Sequence, residues 1–167
     1  MTDATFVSCY IGLGSNLNTP LQQLILAVDA LDKLPHCHHT LVSSFYCSKP
    51  MGPQDQPDYV NAVVKTETTL SPLALLDQLQ AIENNQGRER IGEQWGPRTL
   101  DLDLLLYGEM RLADSRLTVP HYGLAKRNFV LYPLAELVGK SFTIPGLGQL
   151  GTLLLACPKA DLVKINN

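Results

Sequence analysis

Between Thr99 and Tyr107 the chain reads Thr-Leu-Asp-Leu-Asp-Leu-Leu-Leu-Tyr, with two carboxylates two residues apart in an otherwise apolar run. In a strand, alternate side chains share a face, so Asp101 and Asp103 project together, about 6.6 Å apart at ~3.3 Å per residue. Leu100, Leu102, Leu104 and Leu106 then line the opposite face as core. On a helix the two carboxylates would point about 200° apart. Convergent carboxylates repel unless a cation lies between them. Mg²⁺ suits them, because it takes oxygen ligands and often uses one or two carboxylates plus substrate phosphates. An amphipathic strand with a solvated acidic face has the same spacing.

The arginines favour the first reading. All six, Arg88, Arg90, Arg98, Arg111, Arg116 and Arg127, lie between positions 88 and 127. Arginine makes bidentate phosphate contacts. A polyphosphate held between arginines and metal-binding aspartates is the usual electrostatic arrangement for phosphoryl transfer. The same window holds Glu89, Glu93, Glu109 and Asp114, so some arginines could be plain ion-pair partners.

Other polar groups are weaker signals. His121, before Tyr122 and after Pro120, could donate to a phosphate oxygen or be a hydrogen-bonded loop histidine. His36-Cys37-His38-His39 looks like a metal cluster, but adjacent residues entering a strand point to opposite faces. Gly12-Leu13-Gly14-Ser15-Asn16-Leu17 resembles the start of a dinucleotide fingerprint without its third glycine, and reads as a tight turn. Gln80 and Glu83 share one helix face. Tyr59 and Phe129 are aromatics beside polar segments, able to sandwich a flat heterocycle.

The elements that must position these groups follow from periodicity. Phe6 to Leu13 reads as a strand, with Gly12 to Asn18 turning after it. Thr19, Pro20 and Gln22 signal a helix start, with Leu21, Leu24, Ile25, Val28 and Leu31 on its apolar face and Pro35 beyond its end. Thr40 to Cys47 is a second strand, Lys49 to Asp58 an exposed loop and Tyr59 to Thr69 a third strand. Ser71 and Pro72 open a second helix carrying Leu75, Leu76, Leu79 and Ile82, with Gly87 as its stop. Thr99 to Tyr107 is the fourth strand. Val119 to Leu137 includes a short helix, and a C-terminal helix runs near Leu150 to Ala156. The order predicts an α+β, ferredoxin-like βαββαβ sandwich: a mixed, mostly antiparallel sheet with two helices on one face.

Composition bounds the partners. The chain has 167 residues, 13 basic and 16 acidic side chains, and a net charge of −3. That length suits one domain spanning residues 1–167. Net negative charge disfavours nucleic acid and anionic membrane as partners. No apolar run is long enough for a transmembrane helix, and the N-terminus does not read as a secretory signal. The four cysteines are scattered without a CxxC pair, which fits reduced thiols and a cytoplasmic location.

Taken together, the residues resemble the 6-hydroxymethyl-7,8-dihydropterin pyrophosphokinase family of folate biosynthesis. The resemblance covers roughly residues 6 to 137. It rests on Gly14-Ser15-Asn16-Leu17, the segment Gly52 to Tyr59, Trp95-Gly96-Pro97-Arg98-Thr99-Leu100-Asp101-Leu102-Asp103 and Leu117-Thr118-Val119-Pro120-His121-Tyr122. It implies transfer of pyrophosphate from ATP to the hydroxymethyl oxygen of the pterin, with release of AMP. By carry-over, Asp101 and Asp103 hold two Mg²⁺ ions, and Arg88 and Arg98 act catalytically on the phosphates. The nucleotide is met by Gln80, Glu83, Arg90, Trp95, Leu104, Arg116, Thr118, His121, Tyr122 and Arg127. The pterin is met by Ser48, Lys49, Met51, Tyr59, Asn61 and Phe129. A monomer acting on two small molecules is implied. Another Mg-dependent phosphotransferase, or a degenerate binding paralogue, would use overlapping residues.

Two positions depart from the pattern. Gln94 stands where the family usually has a basic residue, and Ile91 where some members carry Lys. Weaker ATP binding is expected. No general base stands out, so metal activation and orientation are expected to carry the attack. The tail beyond Lys140 matches least and is assigned no role.

Overall fold

The computed structural model describes residues 5–50, 52, 55–86 and 99–165. In chain order the elements are β1 (Val7–Ser15), α1 (Pro20–Asp32), β2 (Cys37–Val42), β3 (Tyr46–Ser48), β4 (Tyr59–Thr68) and α2 (Pro72–Asn85). They continue with β5 (Asp101–Tyr107), β6 (Leu112–Ala113), β7 (Thr118–Val119), α3 (Asn128–Val138), β8 (Thr143–Ile144), β9 (Gly148–Gln149), α4 (Leu150–Ala156) and β10 (Val163–Lys164).

The main sheet runs β10-β3-β4-β1-β5, with β2 also pairing β4. Every ladder among the described residues is antiparallel, so the expected mixture is not seen there. The expected second strand is two. Ser43 sits between them, exchanging Ser43 N–H to Val63 O at 2.9 Å while its hydroxyl accepts from Val63 N–H. This keeps β2 and β3 on one partner strand despite the break.

The two expected helices, α1 and α2, share one face, and two further helices cover the other. Leu24, Ala27 and Leu31 of α1 and Leu75, Leu76, Leu79 and Ile82 of α2 pack on Ile11, Leu13, Ala62, Val64, Leu102 and Leu104. Burying side chains of this size favours folding by about 1.5–3 kcal/mol each. On the other face, Val130, Leu131 and Leu134 of α3 and Leu150 and Leu154 of α4 cover Tyr10, Val63, Leu105 and Leu106. The C-terminal tail therefore builds the second core, and β10 adds to β3 through Val163↔Cys47 and Lys164↔Tyr46.

Local signals explain the element ends. Ser71 Oγ accepts from Ala74 N–H at 3.2 Å, a true N-cap with Pro72 in the first turn. Thr19 does not repeat this: it takes a left-handed backbone and its side chain caps nothing, while Gln23 donates back to Asn18 O at 2.9 Å. Gly139, at φ +83°, stops α3 where a side chain would be strained. Among the described residues no helix is long and apolar enough to cross a membrane.

Candidate active site

The Asp pair sits at the edge of the sheet. Asp101 pairs with Gly14 and Asp103 with Gly12 on β1, which in turn pair with Asn61 and Val63 on β4. One sheet face therefore carries Asp101, Asp103, Gly12, Gly14 and Asn61 side by side, while Leu102, Leu104 and Leu13 fill the opposite face. Gly14 leaves the middle of that face without a side chain, while the Leu105 side chain covers Gly12, 3.4 Å from where its Cβ would lie. The result is a trough with a cavity of about 230 Å³, walled by Tyr59, Phe129, Ser48 and Lys49 and by His121, Tyr122 and Arg127.

Gly12 and Gly14 were expected in a turn, yet both lie inside β1. Glycine within a strand often marks close approach of a ligand or another backbone.

The expected run of core leucines also breaks. Leu104 pairs with Ile11 and Leu106 with Tyr10, so Leu105 is an extra residue, a β-bulge. Leu106 is thereby turned to the α3 side with Leu105, and Tyr107 takes the α2-side core position instead. The carbonyl of Leu105 accepts from His121 N–H at 2.9 Å, anchoring the loop that brings His121 over Asp103.

The charges are arranged around Asp103. His121 Nε2 lies 3.8 Å from one carboxylate oxygen and Arg127 Nη1 3.8 Å from the other. Arg127 is 9% exposed and lies over the rings of Tyr122 and Phe129, with centroids 5.7 and 5.9 Å from its Cζ. Burial, and then the Arg127 charge, push the His121 pKa down to about 4. The ring is therefore neutral near pH 7. Its Nδ1 accepts from Gly123 N–H at 3.0 Å, which puts the ring proton on Nε2, facing Asp103. Tyr122 stacks on His121 at 4.5 Å and is largely exposed.

The aromatic end is braced separately. Asn61 Nδ2 donates to Ser48 Oγ at 2.6 Å, and its Oδ1 overhangs Gly14, where an added Cβ would lie 3.4 Å away. Asn16 donates to Gln56 Oε1 at 3.0 Å and Pro57 O at 2.9 Å, tying the loop before β4 to the end of β1. Lys49 and Asp58 pair at 3.7 Å on the rim. Among the described residues, no three His, Cys, Asp or Glu side chains are placed to hold a metal by themselves. Two carboxylates at a cavity mouth suit a cation that completes its shell with water and phosphate oxygens.

Other expected residues lie elsewhere. Arg116 is exposed, its guanidinium 2.6 Å from Asp77 and 3.4 Å from Gln80, both on α2. Thr118 is exposed on β7. Leu104 is 1% exposed with its side chain in the core, so any ligand contact is through its peptide group. Glu83 is 2% exposed, and its carboxylate accepts from Leu102 N–H at 2.8 Å instead of opening to the cavity. Arg88, Arg90, Trp95, Arg98 and Met51, together with Gly87, Gln94 and Ile91, lie outside the described residues. In the histidine-rich segment, Cys37 is buried against Thr68 Oγ1 at 3.4 Å and His38 packs on Phe6, while a bulge between His38 and Leu41 interrupts pairing. All four cysteines are free thiols.

Residues 10–139 match the family described as 7,8-dihydro-6-hydroxymethylpterin-pyrophosphokinase. The chain belongs to this family. A 2-amino-4-hydroxy-6-hydroxymethyldihydropteridine pyrophosphokinase of Haemophilus influenzae is 51% identical over 160 residues, covering 96% of this chain and 99% of that protein. One of the same name from Pseudomonas aeruginosa is 52% identical over 149 residues, 89% of this chain and 91% of its own length. The fold is shared with a crystal structure of wild-type Plasmodium falciparum HPPK-DHPS, at TM-score 0.70 and 12% identity over 93% of this chain. This pyrophosphokinase chain spans 45% of that longer one.

Proposed function

We propose that the protein transfers pyrophosphate from ATP to the hydroxymethyl group of 6-hydroxymethyl-7,8-dihydropterin, giving the pterin diphosphate and AMP in folate biosynthesis. The observation that carries this reading is the single trough in which Asp101 and Asp103 meet Asn61, Tyr59 and Phe129. Its cavity of about 230 Å³ is smaller than the usual range of drug-sized pockets, roughly 300–1,000 Å³. It therefore takes the flat pterin, with the ATP phosphates at the acidic mouth.

Tyr59 and Phe129 hold the faces of the heterocycle, and Asn61 reads its polar edge beside Ser48, Lys49 and Met51. Asp101 and Asp103 hold two Mg²⁺ ions, which when bound supply positive charge to the phosphate oxygens. Arg127, clamped by Tyr122 and Phe129, presents a fixed guanidinium. Neutral His121 offers an Nε2–H donor without adding charge. Arg88, Arg98 and Arg90 supply further cations, with Trp95, Gln80, Arg116, Thr118 and Tyr122 along the nucleotide. In-line attack by the hydroxyl then depends on positioning and charge neutralisation.

The same reading takes the strand order as ferredoxin-like, with β2 and β3 together filling one strand position. It takes residues 1–167 as one domain, active as a cytoplasmic monomer without nucleic-acid or membrane partners. The net charge of −3 and the free cysteines support it. The test is to supply ATP, Mg²⁺ and the pterin and identify the nucleotide released. AMP that forms only with the pterin is expected. ADP, or AMP formed equally without the pterin, would overturn the assignment.

A further inference from the structure

We infer that Glu83 is a positioning residue for the aspartate pair, acting through the backbone of β5, an inference that rests on the proposed phosphotransfer site. Among the described residues β5 ends the sheet order and hydrogen-bonds only with β1 within it. In such a strand alternate N–H groups point away from the neighbour and need another acceptor. The outward group midway between Asp101 and Asp103 is Leu102 N–H, and Glu83 Oε2 accepts it at 2.8 Å. The aspartates themselves lie opposite Gly14 and Gly12 of β1. The three residues that set the spacing of the carboxylates are thus held on both edges.

The choice of a carboxylate is informative. Glu83 is 2% exposed and lies with Leu76, Leu79 and Ile82 among the buried residues of α2. Burying a carboxylate is costly unless it is hydrogen-bonded. What Glu83 adds is an acceptor oxygen for a peptide of the ligand-bearing strand, 2.8 Å from Leu102 N–H. Movement of α2 is thereby transmitted to the separation and direction of Asp101 and Asp103. Its carboxylate grips the peptide between the aspartates, so the residue acts on the metal site without touching it.

The experiment compares full-length wild type, Glu83→Ala and Glu83→Gln. Amide exchange at Leu102 is followed by NMR, and the Mg²⁺ dependence of AMP formation by kinetics. Loss of an outer partner of a metal site commonly weakens metal affinity by about 10–100-fold. Glu83→Ala is expected to raise the Mg²⁺ half-saturation by about tenfold, near the low end of that range. Leu102 exchange should accelerate, kcat should fall, and the pterin KM should stay unchanged. Glu83→Gln keeps an acceptor oxygen and should recover most of each loss. If Glu83→Ala does not fold, Glu83→Gln decides, since strongly weakened Mg²⁺ dependence there would contradict the role. Unchanged Leu102 exchange in a folded Glu83→Ala would overturn the inference. So would a raised ATP KM in both variants with normal Mg²⁺ dependence, which would mark a nucleotide contact. Absence of AMP from wild type would instead sink the proposed reaction, while the exchange measurement would still report on the strand.

Discussion

The two faces of the same three strands could hardly differ more. Toward α1 and α2, β1, β4 and β5 present Ile11, Leu13, Ala62, Val64, Leu102 and Leu104, all buried. Toward α3 they present Gly12, Gly14, Asn61, Asp101 and Asp103 around an open cavity. Further along β5, the bulge at Leu105 turns that second face back to hydrocarbon under α3 and α4. The closed face fixes the sheet, and the open face spends its side chains on ligand. The bulge marks where one task gives way to the other.

Substitutions should separate the faces. Asp101→Ala or Asp103→Ala should lower AMP formation by at least about a hundredfold, since even supporting partners of metal sites are worth about 10–100-fold. For Asp101→Ala the thermal midpoint should hold or rise, because one of two convergent carboxylates is gone; a melt beside the assay checks this. Leu102→Ala, one residue away on the closed face, should do the reverse. It should cost about 2–5 kcal/mol in denaturant unfolding while leaving the pterin KM of the folded protein unchanged.

Gly14→Ala sharpens the contrast within the open face. The added methyl meets Asn61 Oδ1 at 3.4 Å and Tyr59 at 3.7 Å, so the fold should tolerate it. It occupies the trough, however, and the pterin KM should rise about tenfold, the scale of one methyl in a fitted pocket, with the ATP KM unmoved. Steady-state kinetics with each substrate varied would show whether the loss is confined to pterin.

His121 predicts a smaller, pH-dependent effect. Its folded pKa of about 4 lies below the ordinary 6.5, so the unfolded chain takes up the proton first. The stability that accompanies its neutral form is complete above about pH 6.5 and is lost progressively toward pH 4. Thermal melts of His121→Asn should fall less steeply across that window than those of wild type. Smallest of all, Gln94→Arg should tighten ATP by a few-fold, the scale of about 1 kcal/mol or less for one added charge contact; calorimetric titration would read it.

Much of this contrast was legible in the sequence. The alternation of Leu and Asp set both faces of β5, Ser71-Pro72 set the start of α2, and Leu150 to Ala156 is a helix as expected. Three features were not legible. The bulge at Leu105 hides in a run of three leucines, where alternation gives no signal. The glycines of β1 carry the conformational freedom of a turn, and only their strand neighbours reveal a cleared face. Glu83 has the spacing of the buried face of α2 with Leu76 and Leu79, but its acceptor role depends on a strand nineteen positions away in the sequence. Each is a long-range pairing, which local periodicity does not encode.

The most direct test of the central claim is a single-turnover reaction using ATP labelled separately at the α- and γ-phosphates, with Mg²⁺ and 6-hydroxymethyl-7,8-dihydropterin. The account predicts that γ-label passes to the pterin product and α-label stays in AMP, and that both transfers vanish in a folded Asp103→Ala. Label from the γ-position in inorganic phosphate or in a pterin monophosphate, with ADP as the partner product, would contradict it.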